Sequence, residues 1–185
     1  MSQNMNQFKG NSTHLRFVDE DGAEFIVNLR TDESLNKYLS VTGNSIEQQK
    51  QWIVQYKQRE KAGSEYYFLI CKNSDQSAIG TVRLYDFKEK KSSFCWGSWI
   101  LNSNKTKTSA IESAMLVYEI GFNQLEFSSC RFQEDNDNQK VIDFHIKMGA
   151  KKVSENGKES YFIYSPIDYE QFREKFSKYL VKKDD

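Results

Sequence analysis

Between a strand that ends near Leu101 and a helix that begins near Ser109 the chain runs Asn102-Ser103-Asn104-Lys105-Thr106-Lys107-Thr108-Ser109-Ala110. A loop entering a helix in this way brings unpaired backbone N–H groups and the positive end of the helix dipole to one point, where an anion is held. Lys105 and Lys107 add charge, and the small residues Thr106, Thr108, Ser109 and Ala110 let main-chain amides come close to a phosphate. The same stretch also fits a purely structural role. Ser109 and Glu112 have the spacing of a capping box, in which the serine would accept from the Glu112 amide and the glutamate would reach back.

The other candidate groups are few. The chain has two histidines, His14 and His145, too few for a site built on two or three imidazoles. His145 lies on a helix with Val141, Phe144 and Met148 near its buried side, and reads either as a proton donor or as a neutral core residue. Cys71, Cys95 and Cys130 are odd in number and far apart, which gives neither a disulfide framework nor a zinc site, so they read as core or strand residues and no metal is expected. G-x-S-x-G, H-E-x-x-H, G-x-G-x-x-G and the phosphate-loop motif of nucleotide hydrolases are all absent.

The elements that must position these groups follow from periodicity. His14–Val18 reads as a strand, Asp21–Leu29 as a helix, and Ser45 as the N-cap of a second helix that stops at Gly63. Three stretches rich in aromatic and β-branched residues, Glu65–Lys72, Ala78–Phe87 and Ser93–Leu101, form an antiparallel meander. A helix to about Phe122 and a strand over about Glu126–Gln133 follow. The right-handed crossover rule makes that strand parallel to Ser93–Leu101. A helix from Asp135–Asn138 to Gly149, a hairpin around Asn156-Gly157 and a helix over Asp168–Leu180 complete the chain. The fold class is therefore α+β, a mixed, mostly antiparallel seven-stranded sheet with one parallel pair near its middle. Residues 1–13 read as a polar, frayed end and 14–182 as one domain.

The composition agrees and excludes more. Its 185 residues carry 26 Lys and Arg against 26 Asp and Glu, a net charge of zero, and 14% are aromatic. That suits a globular domain with a real core. It lacks the cationic excess of a protein whose main partner is nucleic acid. No stretch approaches the roughly 18 apolar residues of a membrane span, and the polar start is unlike a signal peptide, so a cytoplasmic protein with no membrane partner is expected.

The run Trp99-Ile-Leu-Asn-Ser-Asn-Lys105-Thr-Lys107-Thr108-Ser-Ala110-Ile-Glu112 resembles the acyl-CoA motif Q/R-x-x-G-x-G/A of the GNAT superfamily. It is most similar to the branch containing ribosomal-protein and polyamine N-acetyltransferases. Asn138-Gln-Lys-Val141-Ile-Asp-Phe144-His145-Ile-Lys147-Met-Gly149-Ala150 resembles the same family's N-x-x-A-x-x-L-Y-x-K-x-G-F. The resemblance implies helices on both faces of the sheet and a central parallel pair splayed into a V. The pantetheine arm of acetyl-CoA would lie there against the backbone of Trp99, Ile100 and Leu101. The pyrophosphate would rest on the amides of Lys105, Thr106, Lys107, Thr108, Ser109 and Ala110, and Asn138 would face the pantetheine. The chain departs from the pattern at Lys105 (usually Gln or Arg), at Thr108 (usually Gly) and at His145, which stands where the family keeps the tyrosine that protonates the thiolate.

Some relatives place a general base at the position of Gln133, which cannot serve. Glu134 is expected on the opposite face, so Asp135 or a chain of waters would deprotonate the amine. Direct transfer is expected rather than a covalent relay through Cys95 or Cys130, which have no group nearby to favour a thiolate. The acceptor would be read by Arg30, Asn36, Lys37, Tyr38 and Tyr85. Their polar character favours a small-molecule amine such as a nucleotide-linked amino sugar. A protein N-terminus and a non-catalytic CoA-binding module stay open as alternatives, as does a homodimer.

Overall fold

The computed structural model describes residues 8–35, 37–38 and 43–181. The elements are β1 (Thr13–Phe17), α1 (Ala23–Thr31), α2 (Ile46–Lys61), β2 (Tyr66–Lys72), β3 (Ala78–Tyr85), β4 (Phe94–Leu101), α3 (Ser109–Tyr118), β5 (Cys130–Asp135), α4 (Gln139–Lys147), β6 (Lys151–Glu155), β7 (Glu159–Tyr164) and α5 (Pro166–Phe176). The seven strands form one sheet in the order β1-β2-β3-β4-β5-β7-β6. Every neighbouring pair is antiparallel except β4 and β5.

The continuous apolar run in β2 is explained by burial on both faces. Phe68 and Ile70 join the core that includes Met115 and Tyr118 of α3, Ile142 of α4 and Tyr169 and Phe172 of α5. Tyr67, Leu69 and Cys71 join a second core with Ala23 and Ile26 of α1 and Ile53 and Tyr56 of α2. Helices thus cover both faces, as expected.

Two irregularities shape the middle of the sheet. Thr81 of β3 lies opposite Ile100 of β4, yet Arg83 lies opposite Gly97, so β4 carries one extra residue. Ser98 takes up the bulge with φ of 49°, a left-handed conformation uncommon outside glycine. The fully buried Thr81 hydroxyl donates to Ser98 O at 2.8 Å and pins the bulge in place. Gly80 permits the close approach beside it, because a Cβ there would lie 2.1 Å from Ile100 O.

The second irregularity is the parallel pair. β4 and β5 register only at Phe94↔Cys130 and Cys95↔Arg131. Beyond that point β4 stays paired with β3 to Leu101, and β5 stays paired with β7 to Asp135. The two strands continue but separate, which leaves the V that the family resemblance implied.

β5 corrects the expected strand over Glu126–Gln133 by starting and ending later. The helix of α3 continues as a π-helical stretch over Glu119–Gln124. Leu125 N donates to Ile120 O, Phe127 N donates to Gly121 O, and Glu126 has φ of 62°. The chain spends residues 125–129 returning to the sheet, so the strand reaches Asp135. Residues 10–12, within the segment expected to fray, are bonded into the fold. Gly10 N donates to Thr13 O, Asn11 N to Tyr179 O and Ser12 N to Glu112 Oε2, while residues 1–7 lie outside the described residues. Among the described residues no helix is long and apolar enough to cross a membrane.

Replacing Thr81 by valine keeps the shape and removes the donor that holds Ser98 O. Denaturant unfolding of Thr81→Val should show a loss of about 1 kcal/mol, the net worth of one such hydrogen bond.

Candidate active site

The loop that enters α3 is built from behind. Glu112, one turn into the helix, is fully buried. Its Oε2 accepts from Ser12 N (2.8 Å), Thr13 N (2.9 Å) and Thr13 Oγ1 (2.8 Å), and its Oε1 accepts from Ser12 Oγ (3.0 Å) and Thr108 Oγ1 (2.6 Å). A buried carboxylate needs such a set of donors. The capping box expected between Ser109 and Glu112 does not form, because the carboxylate turns toward β1. The Glu112 amide donates to Thr108 O instead, and Ser109 Oγ accepts from Thr106 N at 2.9 Å. Thr108 has φ of −111°, an ordinary value for any residue. Its hydroxyl is a brace rather than an obstacle, and the glycine usual in the family is not required by this backbone.

Those bonds decide which amides are open. Within the loop Lys105 N donates to Asn102 O, Thr106 N to Ser109 Oγ, Thr108 N to Thr106 Oγ1 and Ser109 N to Thr106 O. Among the described residues the amides of Lys107, Ala110 and Ile111 have no acceptor. They are the orphan donors that the start of a helix leaves for an anion. Lys105 and Lys107 are exposed beside them and make no ion pair among the described residues.

A cavity of about 600 Å³ opens along the V. On β4 it is lined by Trp96, Gly97, Ser98 and Trp99, on β5 by Phe132, Gln133, Glu134 and Asp135, and at the N-cap and on the face of α4 by Asn138, Val141 and His145. His145 is almost fully buried, in ring contact with Trp96, Trp99, Phe132 and Phe144. Its Nε2 lies 3.6 Å from Glu134 Oε1. Its Nδ1 is buried and has no hydrogen-bond partner among the described residues, which is uncommon away from sites that receive a ligand. The placement of Glu134 on the face away from the site is corrected. β5 runs through Asp135, Phe132 and Glu134 share a face, and that face is the one His145 packs on. Asn138 Nδ2 approaches Glu134 Oε2 at 3.5 Å.

The cavity brings together Arg30, Lys37, Tyr38, Tyr85, Trp99, Asp135, Asn138 and His145 from the sequence-derived candidates. Ile100, Leu101 and the stretch Lys105–Ala110 lie outside it, farther along β4 and at the start of α3. Asn36 lies outside the described residues. Asp135 lines the cavity, but its Oδ1 accepts from Asp137 N at 2.9 Å and so shapes the turn into α4. Tyr38 donates to Asp137 O at 3.0 Å and ties the segment after α1 to that same turn. Burial raises the Tyr85 phenol above its usual range, which removes it as a base. Burial also raises the thiols of Cys95 and Cys130, consistent with direct transfer. Among the described residues no cluster of His, Cys, Asp or Glu could hold a metal ion.

Arg83 lines the cavity without having been singled out in the sequence, and Glu134 was assigned there to the wrong face. Alternation along the strands was the available signal. Arg83 stands two residues before Tyr85, and Glu134 two after Phe132, so each shares a face with a residue that is easier to notice.

Residues 13–151 match the acetyltransferase (GNAT) domain family, and the chain belongs to that family. It is an N-acetyltransferase, and GNAT acetyltransferases take their acyl group from acetyl-CoA. Apo FdhC, a nucleotide-linked sugar GNAT, is 49% identical with a TM-score of 0.88, covering 94% of this chain and 98% of its own. Spermidine N-acetyltransferase from Vibrio cholerae, solved with CoA and spermine, shares the fold at 16% identity and a TM-score of 0.73, covering 85% of this chain and 97% of its own. A ribosomal-protein alanine acetyltransferase from Vibrio fischeri does so at 17% and 0.73, covering 88% and 97%. A comparison with curated protein sequences finds no match. The open amides at 107, 110 and 111 and the unpaired stretch of β4 are of the kind that the phosphates and extended arm of CoA require.

Glu112→Ala removes the acceptor of five hydrogen bonds and leaves buried donors unmatched. It should cost about 3 kcal/mol or more of stability in denaturant unfolding. Calorimetry at a temperature where the variant remains folded should show weakened CoA binding.

Proposed function

We propose that the chain transfers acetyl from acetyl-CoA to the amine of a nucleotide-linked amino sugar, with Glu134 and His145 handling the protons. The acceptor class is supported chiefly by the 49% identity, over 94% of this chain, to a nucleotide-linked sugar GNAT. The site agrees with it. Arg30 and Arg83 stand on the α1 and β3 side of the cavity and Glu134, Asp135 and Glu159 on the β5 and β7 side, so one ligand carrying both an anion and an amine finds a partner at each end.

When bound, acetyl-CoA supplies an activated thioester. The open amides of Lys107, Ala110 and Ile111 hold its phosphates, with Lys105 and Lys107 as exposed cations. Trp96, Trp99 and Phe132 line the V with rings and limit water at the reacting atoms. An ammonium is not a nucleophile, so a group in the cavity must take its proton. Glu134 is the carboxylate placed for that task, since Asp135 is engaged by the turn. His145, 3.6 Å from Glu134, is placed to exchange a proton with it and to deliver one to the leaving thiolate.

A thiol-release assay over nucleotide-linked amino sugars, polyamines and peptides with free N-termini tests the acceptor. Turnover should concentrate on the nucleotide-linked amino sugars, and exclusive turnover of peptides or polyamines would overturn the reading. With the preferred acceptor, Glu134→Gln should lower kcat by about a hundredfold, the usual worth of a positioned base. The loss should shrink as pH rises and more free amine is supplied by the solution. His145→Ala should lower kcat comparably, and unchanged turnover from pH 6 to 9 would return the residue to a core role.

A further inference from the structure

We infer that Arg83 binds the anionic, phosphate-bearing part of the acceptor and thereby sets specificity for it. This rests on the acceptor class proposed above and adds the residue that reads it. Arg83 projects from the middle of β3, opposite Gly97 of β4, and lines the cavity. Its Nε donates to Glu65 Oε1 at 2.7 Å. Glu65 is nearly buried, and its other oxygen accepts from Arg59 Nε at 2.8 Å. Two guanidinium groups therefore share one carboxylate, and one positive charge is left over.

The geometry says where that charge is presented. The Arg83 guanidinium lies 5.4 Å from the ring centroid of Trp52 and 5.0 Å from that of Tyr85, so the two rings and the Glu65 bond together fix its position. Among the described residues no acceptor meets its two terminal nitrogens, although the side chain is only 27% exposed. A guanidinium held by Nε offers its remaining N–H donors in a fixed fork that matches two phosphate oxygens. Such a group, half-desolvated and already positioned, loses little entropy on meeting an anion. Arg59 differs in one respect that matters for a test. It shares Glu65 and stacks on Trp52 at 5.2 Å, but it does not line the cavity.

The experiment compares wild type, Arg83→Met, Arg83→Lys and Arg59→Met in two arms. In steady-state kinetics with a nucleotide-linked amino sugar, Arg83→Met should raise the acceptor KM by about ten- to a hundredfold, the worth of a charged hydrogen bond. Its kcat and its KM for acetyl-CoA should stay within about threefold, which separates an acceptor phosphate from the phosphates of CoA. Arg83→Lys should recover only part of the loss, and Arg59→Met, which removes the surplus charge but keeps the Arg83 fork bound to Glu65, should raise the KM far less, by about threefold at most. In the second arm calorimetry measures binding of a nucleoside diphosphate to the CoA-saturated protein, with binding expected for wild type and lost in Arg83→Met. This arm needs no turnover. If wild type binds the diphosphate but turns over no nucleotide-linked amino sugar, the acceptor reading fails while Arg83 stands as an anion-binding residue. Equal KM values and equal binding in wild type and Arg83→Met, or no diphosphate binding by wild type, would overturn the assignment.

Discussion

The structure turns on a parallel pairing that lasts two residues. β4 and β5 are held together at Phe94↔Cys130 and Cys95↔Arg131 and then part. A sheet interrupted at its centre gives up ladder hydrogen bonds, and it is tolerated only where other contacts hold each strand. Here β3 holds β4 and β7 holds β5 along the full length of the gap. The Ser98 bulge lies in the same stretch of β4, with Thr81 bound to its carbonyl. The cavity, the buried imidazole and the open backbone edge all follow from that separation.

The loop that enters α3 rests on a different device. A buried carboxylate collects donors from Ser12, Thr13 and the Thr108 hydroxyl, and the Thr106 and Ser109 hydroxyls bond within the loop, while the amides of Lys107, Ala110 and Ile111 are left without an acceptor among the described residues. The order of bonds explains how threonine can replace the usual glycine at 108. The residue sits at negative φ and its side chain belongs to the brace. The residues preceding β1 matter for the same reason. They join the carboxylate to the C-terminal segment through Asn11 and Tyr179, so the loop that enters α3 is tied to both ends of the described chain.

Much of this was legible in the sequence because it is repeated in many residues at once. The meander, the crossover and the amphipathic helices are each set by several side chains at fixed periods, and the two family motifs located the loop and His145. What was not legible depended on one-residue shifts. The π-helical stretch after Tyr118 moved β5 four residues along at its start and carried the strand through Asp135, and alternation alone told which residues share a face but not which face would meet His145. The role of Glu112 was equally hidden. The sequence places it one turn after Ser109, and only the fold brings Ser12 and Thr13, a hundred positions earlier, close enough to compete with the cap.

If the opening between β4 and β5 and the open amides at the start of α3 form one cofactor site, CoA must touch both at once. Amide NMR on the full chain, titrated with CoA, addresses it directly. The largest shifts should fall on Lys107, Ala110 and Ile111 and along Trp96–Leu101, with the amides of Thr106 and Ser109, already bonded within the loop, moving less. Saturable CoA binding that leaves those amides in place and perturbs another face of the sheet would contradict it.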